Sequence, residues 1–123
     1  MKRVYLAGPP YADEYRRRAT ALVRQAGWEA VDPMRRDFRG ETVGHEREIV
    51  EGDLADIDGC YAVLAAFTSP DEGTAMEAWY AHSRGTPVGL HRRDAAAPVD
   101  GLRRAVGPRR PGRGDLRAYA ELM

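Results

Sequence analysis

Asparagine is absent from this sequence, lysine occurs once, at Lys2, and cysteine once, at Cys60. A lone cysteine cannot close an internal disulfide. Its place at the head of an apolar run predicts a small buried hydrophobe in a reducing, cytoplasmic setting rather than a working thiol. The use of arginine almost to the exclusion of lysine, together with the lack of asparagine, fits the codon bias of a GC-rich genome. No stretch approaches the roughly 20 apolar residues needed to span a bilayer. Met1-Lys2-Arg3 leads into a strand rather than a signal peptide, so a soluble protein with no membrane partner is expected.

Several chemistries are missing as well. Gly8 is followed by Pro9-Pro10, so neither a G-x-G-x-x-G turn nor a Walker loop is encoded to cradle phosphates. His45, His82 and His91 stand far apart without partners at metal-binding spacing, and no metal or cofactor is expected. No Gly-x-Ser-x-Gly elbow occurs. The 19 acidic side chains balance the 19 basic ones, which leaves no net field to draw the chain to nucleic acid. A local basic cluster, Arg103, Arg104, Arg109, Arg110 and Arg113, has no interleaved aromatic residues to stack bases and reads as a solvated segment. The chemistry that remains is carboxylate and phenol.

What is present is an alternation of strand and helix patterns over 123 residues, enough for one domain with its own core. Apolar runs predict strands over 4–7, 28–31, 60–67 and 86–91. Helical periodicity predicts helices over 13–26, after the 38–44 loop to about 58, and over 74–84. In the first helix Tyr15, Ala19, Leu22, Val23 and Ala26 share one side, and Gly27 takes the position after its end. Asp32-Pro33 closes the second strand, and a loop over 38–44 follows. From 94 onward the composition is that of a tail, with a final short helix over 115–123. Such alternation predicts an α/β fold: a single doubly wound, mostly parallel sheet of four to five strands with helices on both faces, flavodoxin- or Rossmann-like.

In an open sheet of this kind ligands bind at the carboxyl ends of the strands. There lies Ser69-Pro70-Asp71-Glu72-Gly73-Thr74-Ala75-Met76-Glu77, with three carboxylates in seven residues. A purely local reading makes Thr74 and Glu77 a capping box, with Glu77 near the helix start and held ionised by the helix dipole. Asp53 argues for more. Ile49, Val50, Leu54 and Ile57 mark an apolar stripe, and Asp53 falls inside it, where a carboxylate is costly unless something pairs with it or uses it. Burial there should raise its pKa; the structural alternative is a cap or a buried salt bridge to an arginine. Glu46, Glu48, Glu51 and Asp56 fit a solvated outer face and are given no role. Tyr5, near the end of the first strand, is either a core aromatic or a phenol seeking a polar partner.

Tyr5-Leu6-Ala7-Gly8-Pro9, Gly52-Asp53-Leu54 with Ile57, Asp71-Glu72-Gly73-Thr74-Ala75-Met76-Glu77 with Tyr80-Ala81, and Gly85-Thr86-Pro87-Val88 together resemble the nucleoside 2-deoxyribosyltransferases. The resemblance covers residues 3 to 91. It implies transfer of a 2-deoxyribosyl group between nucleobases, without a cofactor, through a covalent ester on Glu77. Tyr5 would orient Glu77, and Asp53 would protonate the departing base. Asp71 would meet the sugar at its 5′ end, and Gly8 would let the first loop approach the base, with Gly73 in the substrate-binding turn. A deoxynucleoside and a free nucleobase are the implied partners, and the protein itself would be a homo-oligomer, a dimer or larger. Trp79 and Tyr80 suit either its interface or the core.

Two alternatives stand beside this reading. Relatives that hydrolyse the N-glycosidic bond of nucleoside 5′-monophosphates carry serine where Asp71 stands and a Ser/Arg-bearing first loop. Here Asp71 would repel a phosphate, whereas Arg16, Arg17 and Arg18 would attract one. The sheet alone would also suit a nucleoside-binding module without turnover.

Overall fold

The computed structural model describes residues 1–36 and 40–91. The expected tail, its final helix, its basic cluster and part of the 38–44 loop lie outside the described residues. Four strands, β1 (Arg3–Ala7), β2 (Glu29–Val31), β3 (Ala62–Ala66) and β4 (Val88–His91), alternate with the helices α1 (Asp13–Gln25), α2 (Glu46–Asp58) and α3 (Glu72–Ser83). A short 3₁₀ turn, Pro33–Arg35, follows β2, with Asp32 accepting a hydrogen bond from the Met34 amide.

All strands run parallel in the order β2-β1-β3-β4. This is the doubly wound α/β fold, in the flavodoxin-like order. From β1 the chain steps outward to β2, then returns past β1 to β3 and continues to β4. Right-handed crossovers therefore put α1 on one face and α2 and α3 on the other. Strand alternation divides the core accordingly. Val4, Leu6, Ala62, Leu64 and Ala66 meet Tyr15, Ala19 and Val23 of α1. Tyr5, Ala7, Val63 and Ala65 meet Ile57 of α2 and Ala78 and Ala81 of α3. Every residue of β3 is buried, as a central strand covered on both faces must be.

Two helices end in the same way. Gly27 and Gly85 have positive φ, and each closes a double hydrogen-bonded C-terminal motif: Trp28 N–H to Val23 and Gly27 N–H to Arg24 in one, Thr86 N–H to Ala81 and Gly85 N–H to His82 in the other. The reversal at Gly27 was visible in the sequence because only glycine takes that conformation without strain; Gly85 stood in the same place between the third helix and the fourth strand.

The element ends moved by two residues at β3, at α3 and at β4, the last starting at Val88 instead of 86. Strand β3 is shorter than the apolar run, because Cys60 belongs to the turn after α2, where its amide bonds to Ile57, and Phe67 is exposed. Cys60 is buried and its thiol is pushed up to about 11 by burial, which keeps it protonated. Helix α3 starts two residues earlier than expected, at Glu72. Its cap is Asp71, whose Oδ2 accepts from the Thr74 amide at 2.8 Å and from Oγ1 of Thr74 at 2.6 Å. The Thr74–Glu77 capping box therefore does not form. On the α2 stripe Ile57 is buried and Leu54 packs beside it, whereas Val50 is exposed. Trp79 is exposed, while Tyr80 packs on the second core cluster and donates its hydroxyl to Asp58. No described helix is long and apolar enough to cross a membrane.

Candidate active site

The order reverses between β1 and β3, so the loops leaving these strands diverge and open a crevice at their carboxyl ends. A cleft of about 200 Å³ lies there. Gly8, Pro10 and Arg16 line it from the first loop and α1; Pro33, Met34 and Arg36 from the turn after β2; Thr42, Ile49 and Asp53 from α2 and its approach; and Asp71, Gly73 and Glu77 from the start of α3. Five of the six residues singled out in the sequence therefore share one cavity. The sixth, Tyr5, is fully buried in β1, close enough to Glu77 and Asp53 for their charges to act on it.

Tyr5 is unusual in the core. Its hydroxyl is shielded from water and meets no strict hydrogen-bond geometry among the described residues, yet the Glu77 carboxyl stands close enough for the two to act on each other as hydrogen-bond partners. Burial, followed by the Glu77 and Asp53 charges, drives the phenol far above its ordinary range. Tyr5 is thus held as a donor.

Glu77 departs from expectation. It lies on the second turn of α3 and is only 8% exposed. The helix dipole acts over the first turn, so burial prevails. The carboxyl is pushed up to about 8, first by desolvation and then by the Asp53 charge, against a lowering influence from Tyr5. Burial and the Asp53 charge thus favour the protonated form of Glu77, against the ionised form that its place near a helix start suggested.

Asp53 is also raised, chiefly by burial, as its position on the apolar face predicted, while the Arg36 guanidinium pulls the other way. The salt-bridge alternative is present too: Arg36 Nη2 stands 3.2 Å from Asp53 Oδ1 and 2.7 Å from Asp56 Oδ2. Arg35 bonds to both oxygens of Asp56 at 2.7 and 2.8 Å. Asp56 is consequently not a solvated outer residue; it ties the turn after β2 to α2. The Asp53–Asp56 spacing of i, i+3 places both on one helix face, a signal that could have found it. Nothing in the Arg35-Arg36 dipeptide itself announced a partner.

Arg16 is a second residue that sequence reasoning misplaced. It is not a free phosphate grip. It is 2% exposed, donates to the Pro9 carbonyl at 2.7 Å and the Gly8 carbonyl at 2.6 Å, and its Nε lies 3.6 Å from Asp32 Oδ1. Arg16 thus clamps the first loop in place, while Arg17 and Arg18 face solvent. Gly8 is needed for packing: a Cβ there would stand 3.1 Å from the Tyr15 ring. Asp71 spends Oδ2 on its cap yet still borders the cleft. Among the described residues no three His, Cys, Asp or Glu side chains are placed to hold a metal ion.

The sequence pattern of the family described as nucleoside 2-deoxyribosyltransferase matches residues 4–105. No curated protein matches the chain by sequence. Among solved structures, a 2-deoxyribosyltransferase from Bacillus psychrosaccharolyticus superposes with a TM-score of 0.61 at 22% identity, over 72% of this chain and 70% of its own. A CMP N-glycosidase from Clostridium botulinum superposes with a TM-score of 0.56, also at 22% identity, over 85% of this chain and 82% of its own. At such identities the two structures speak for the fold.

Proposed function

Since the chain belongs to the nucleoside 2-deoxyribosyltransferase family, we propose that it transfers a 2-deoxyribosyl group from one nucleobase to another through a covalent ester on Glu77. The observation that carries this reading is the convergence of Glu77, Asp53 and Asp71 on one cleft, with the buried Tyr5 hydroxyl close to the Glu77 carboxyl.

Two carboxyl groups across a glycosidic bond divide into an attacking group and an acid. Burial favours the proton on Glu77, whereas the reaction requires it on Asp53 once substrate is bound. Positive charge developing at the anomeric carbon favours the Glu77 anion, and the Tyr5 phenol donates to the carboxylate so formed. Glu77 then bonds to C1′ as the bond from C1′ to the base nitrogen breaks, and the departing base takes the proton of Asp53. An incoming base attacks the same carbon, its proton returns to Asp53, and Glu77 leaves as carboxylate. Asp71, through the oxygen its cap does not use, accepts a hydrogen bond from the 5′-hydroxyl; Gly8 and Gly73 line the approach.

The experiment is incubation with a deoxynucleoside and a second free base, followed by chromatography. A new nucleoside is the expected product; free base alone would mean hydrolysis. The second reading, hydrolysis of a nucleoside 5′-monophosphate, draws on the likeness to the CMP N-glycosidase. Against it stand Asp71 at the cleft and the engagement of Arg16 with loop carbonyls. Faster turnover of the monophosphate than of the nucleoside would put that reading first.

A further inference from the structure

We propose that Asp56 is a positioning residue for the cleft: by anchoring the Arg36 guanidinium it restricts Arg36 to one long contact with Asp53, and so leaves the Asp53 carboxyl able to take up and release a proton. The inference rests on the acid role given to Asp53 above.

Arg36 reaches α2 through a single nitrogen. Nη2 lies 2.7 Å from Asp56 Oδ2 and 3.2 Å from Asp53 Oδ1. The guanidinium is flattened against the helix at Gly52, where a Cβ would stand 3.0 Å from both Cζ and Nη2. Asp56 is itself held from the other side, since Arg35 bonds to both of its oxygens. Two guanidinium groups thus converge on Asp56, the nearer partner of Arg36, and Asp53 receives the remainder. Without that anchor Arg36 could turn two nitrogens onto Asp53. Such a forked pair would fix Asp53 as a carboxylate, of no use as an acid.

The groups that face Asp53 are Arg36 from the turn after β2, Asp56 from its own helix, Glu77 from α3 and Tyr5 from β1. Among them Arg36 is the cation, so its placement decides whether burial or ion pairing governs Asp53. With the guanidinium anchored, burial prevails.

The test is a carbon-13 NMR titration of the Asp53 side-chain carboxyl in the full chain, assigned by its loss in Asp53→Asn. Asp56→Asn should lower the Asp53 midpoint by about one pH unit, the scale expected when an opposite charge closes on a carboxylate. In an Arg36→Gln background the same substitution should move it much less, since only the loss of the neighbouring negative charge remains. Asp56→Glu, which keeps an anchor, should leave the midpoint near that of the wild type. An unchanged midpoint in Asp56→Asn, or an equal fall with and without Arg36, would overturn the proposal. So would a fall in Asp56→Glu as large as in Asp56→Asn. The titration needs no substrate. Lack of glycosyl transfer alongside the expected midpoints would therefore overturn only the proposed reaction.

Discussion

Two buried tyrosines, one on each face of the sheet, have met opposite fates. Tyr15 of α1 donates its hydroxyl to the Leu64 carbonyl at 3.0 Å within the cluster between α1 and the sheet, with the His91 ring 5.0 Å from its own. Tyr5 of β1 points to the other face, where its hydroxyl meets no strict hydrogen-bond geometry among the described residues and Glu77 and Asp53 stand near. Both phenols are driven upward mainly by burial. A buried polar group left unpaired costs about 1–3 kcal/mol, and a phenol held beside two carboxyl groups without full hydrogen-bond geometry is a candidate for function. On the proposed reading the α1 face serves stability and the α2–α3 face serves the reaction.

The hardest blow to that contrast falls on Glu77. If the reactive face works as proposed, Glu77→Ala should lower base exchange by roughly 10⁴-fold or more, as loss of a nucleophile does, while the protein remains folded. Near-normal exchange in a folded variant, read by chromatography, would erase the distinction between the faces. Asp53→Asn should slow cleavage by roughly 10²–10³-fold, and most for bases that leave poorly, because general acid assistance is worth about that much. Equal slowing across good and poor leaving groups would make Asp53 a structural member of its ion pair.

The pH dependence of stability sharpens the contrast further. Glu77 is raised from 4.5 to about 8, so the folded protein holds a proton that the unfolded chain releases. Stability should therefore fall as pH rises from about 4.5 to about 8, the reverse of an ordinary ion-paired carboxylate. Glu77→Gln removes this slope and should stabilise the fold at pH 7 by about 3 kcal/mol, measured by denaturant unfolding at several pH values. Identical slopes in both proteins would show that Glu77 is ionised after all. The smallest effects distinguish the two tyrosines directly. Tyr15→Phe should cost about 1 kcal/mol of stability and leave turnover unchanged. Tyr5→Phe should leave stability level or slightly higher and lower turnover about tenfold, the worth of one hydrogen bond. A stability loss in Tyr5→Phe equal to that in Tyr15→Phe would make the two faces alike.

Much of this face was legible beforehand, and for local reasons. The carboxylates at 71 and 77 follow an apolar run, and any strand-to-helix turn in a parallel sheet delivers such residues to the carboxyl edge. Asp53 betrayed itself by interrupting an apolar stripe. What escaped were contacts between segments far apart in the chain. Arg36 and Asp56 are 20 residues apart and meet at 2.7 Å; a charge pattern records neither partner. Arg16 sits among Arg17 and Arg18 in a run that reads as solvated, yet it alone turns inward to the loop carbonyls.

The sequence by itself determined the alternation of strands and helices, the glycine-capped reversals at Gly27 and Gly85, and the residue types available for chemistry, because each follows from backbone conformation or from the period of apolar residues. The tertiary structure alone decided which carboxyl burial drives furthest toward its protonated form, which arginine turns inward and where α3 is capped. Those outcomes depend on desolvation and on oxygen–nitrogen distances set by elements packed from opposite ends of the chain, and helix position alone would have left Glu77 ionised.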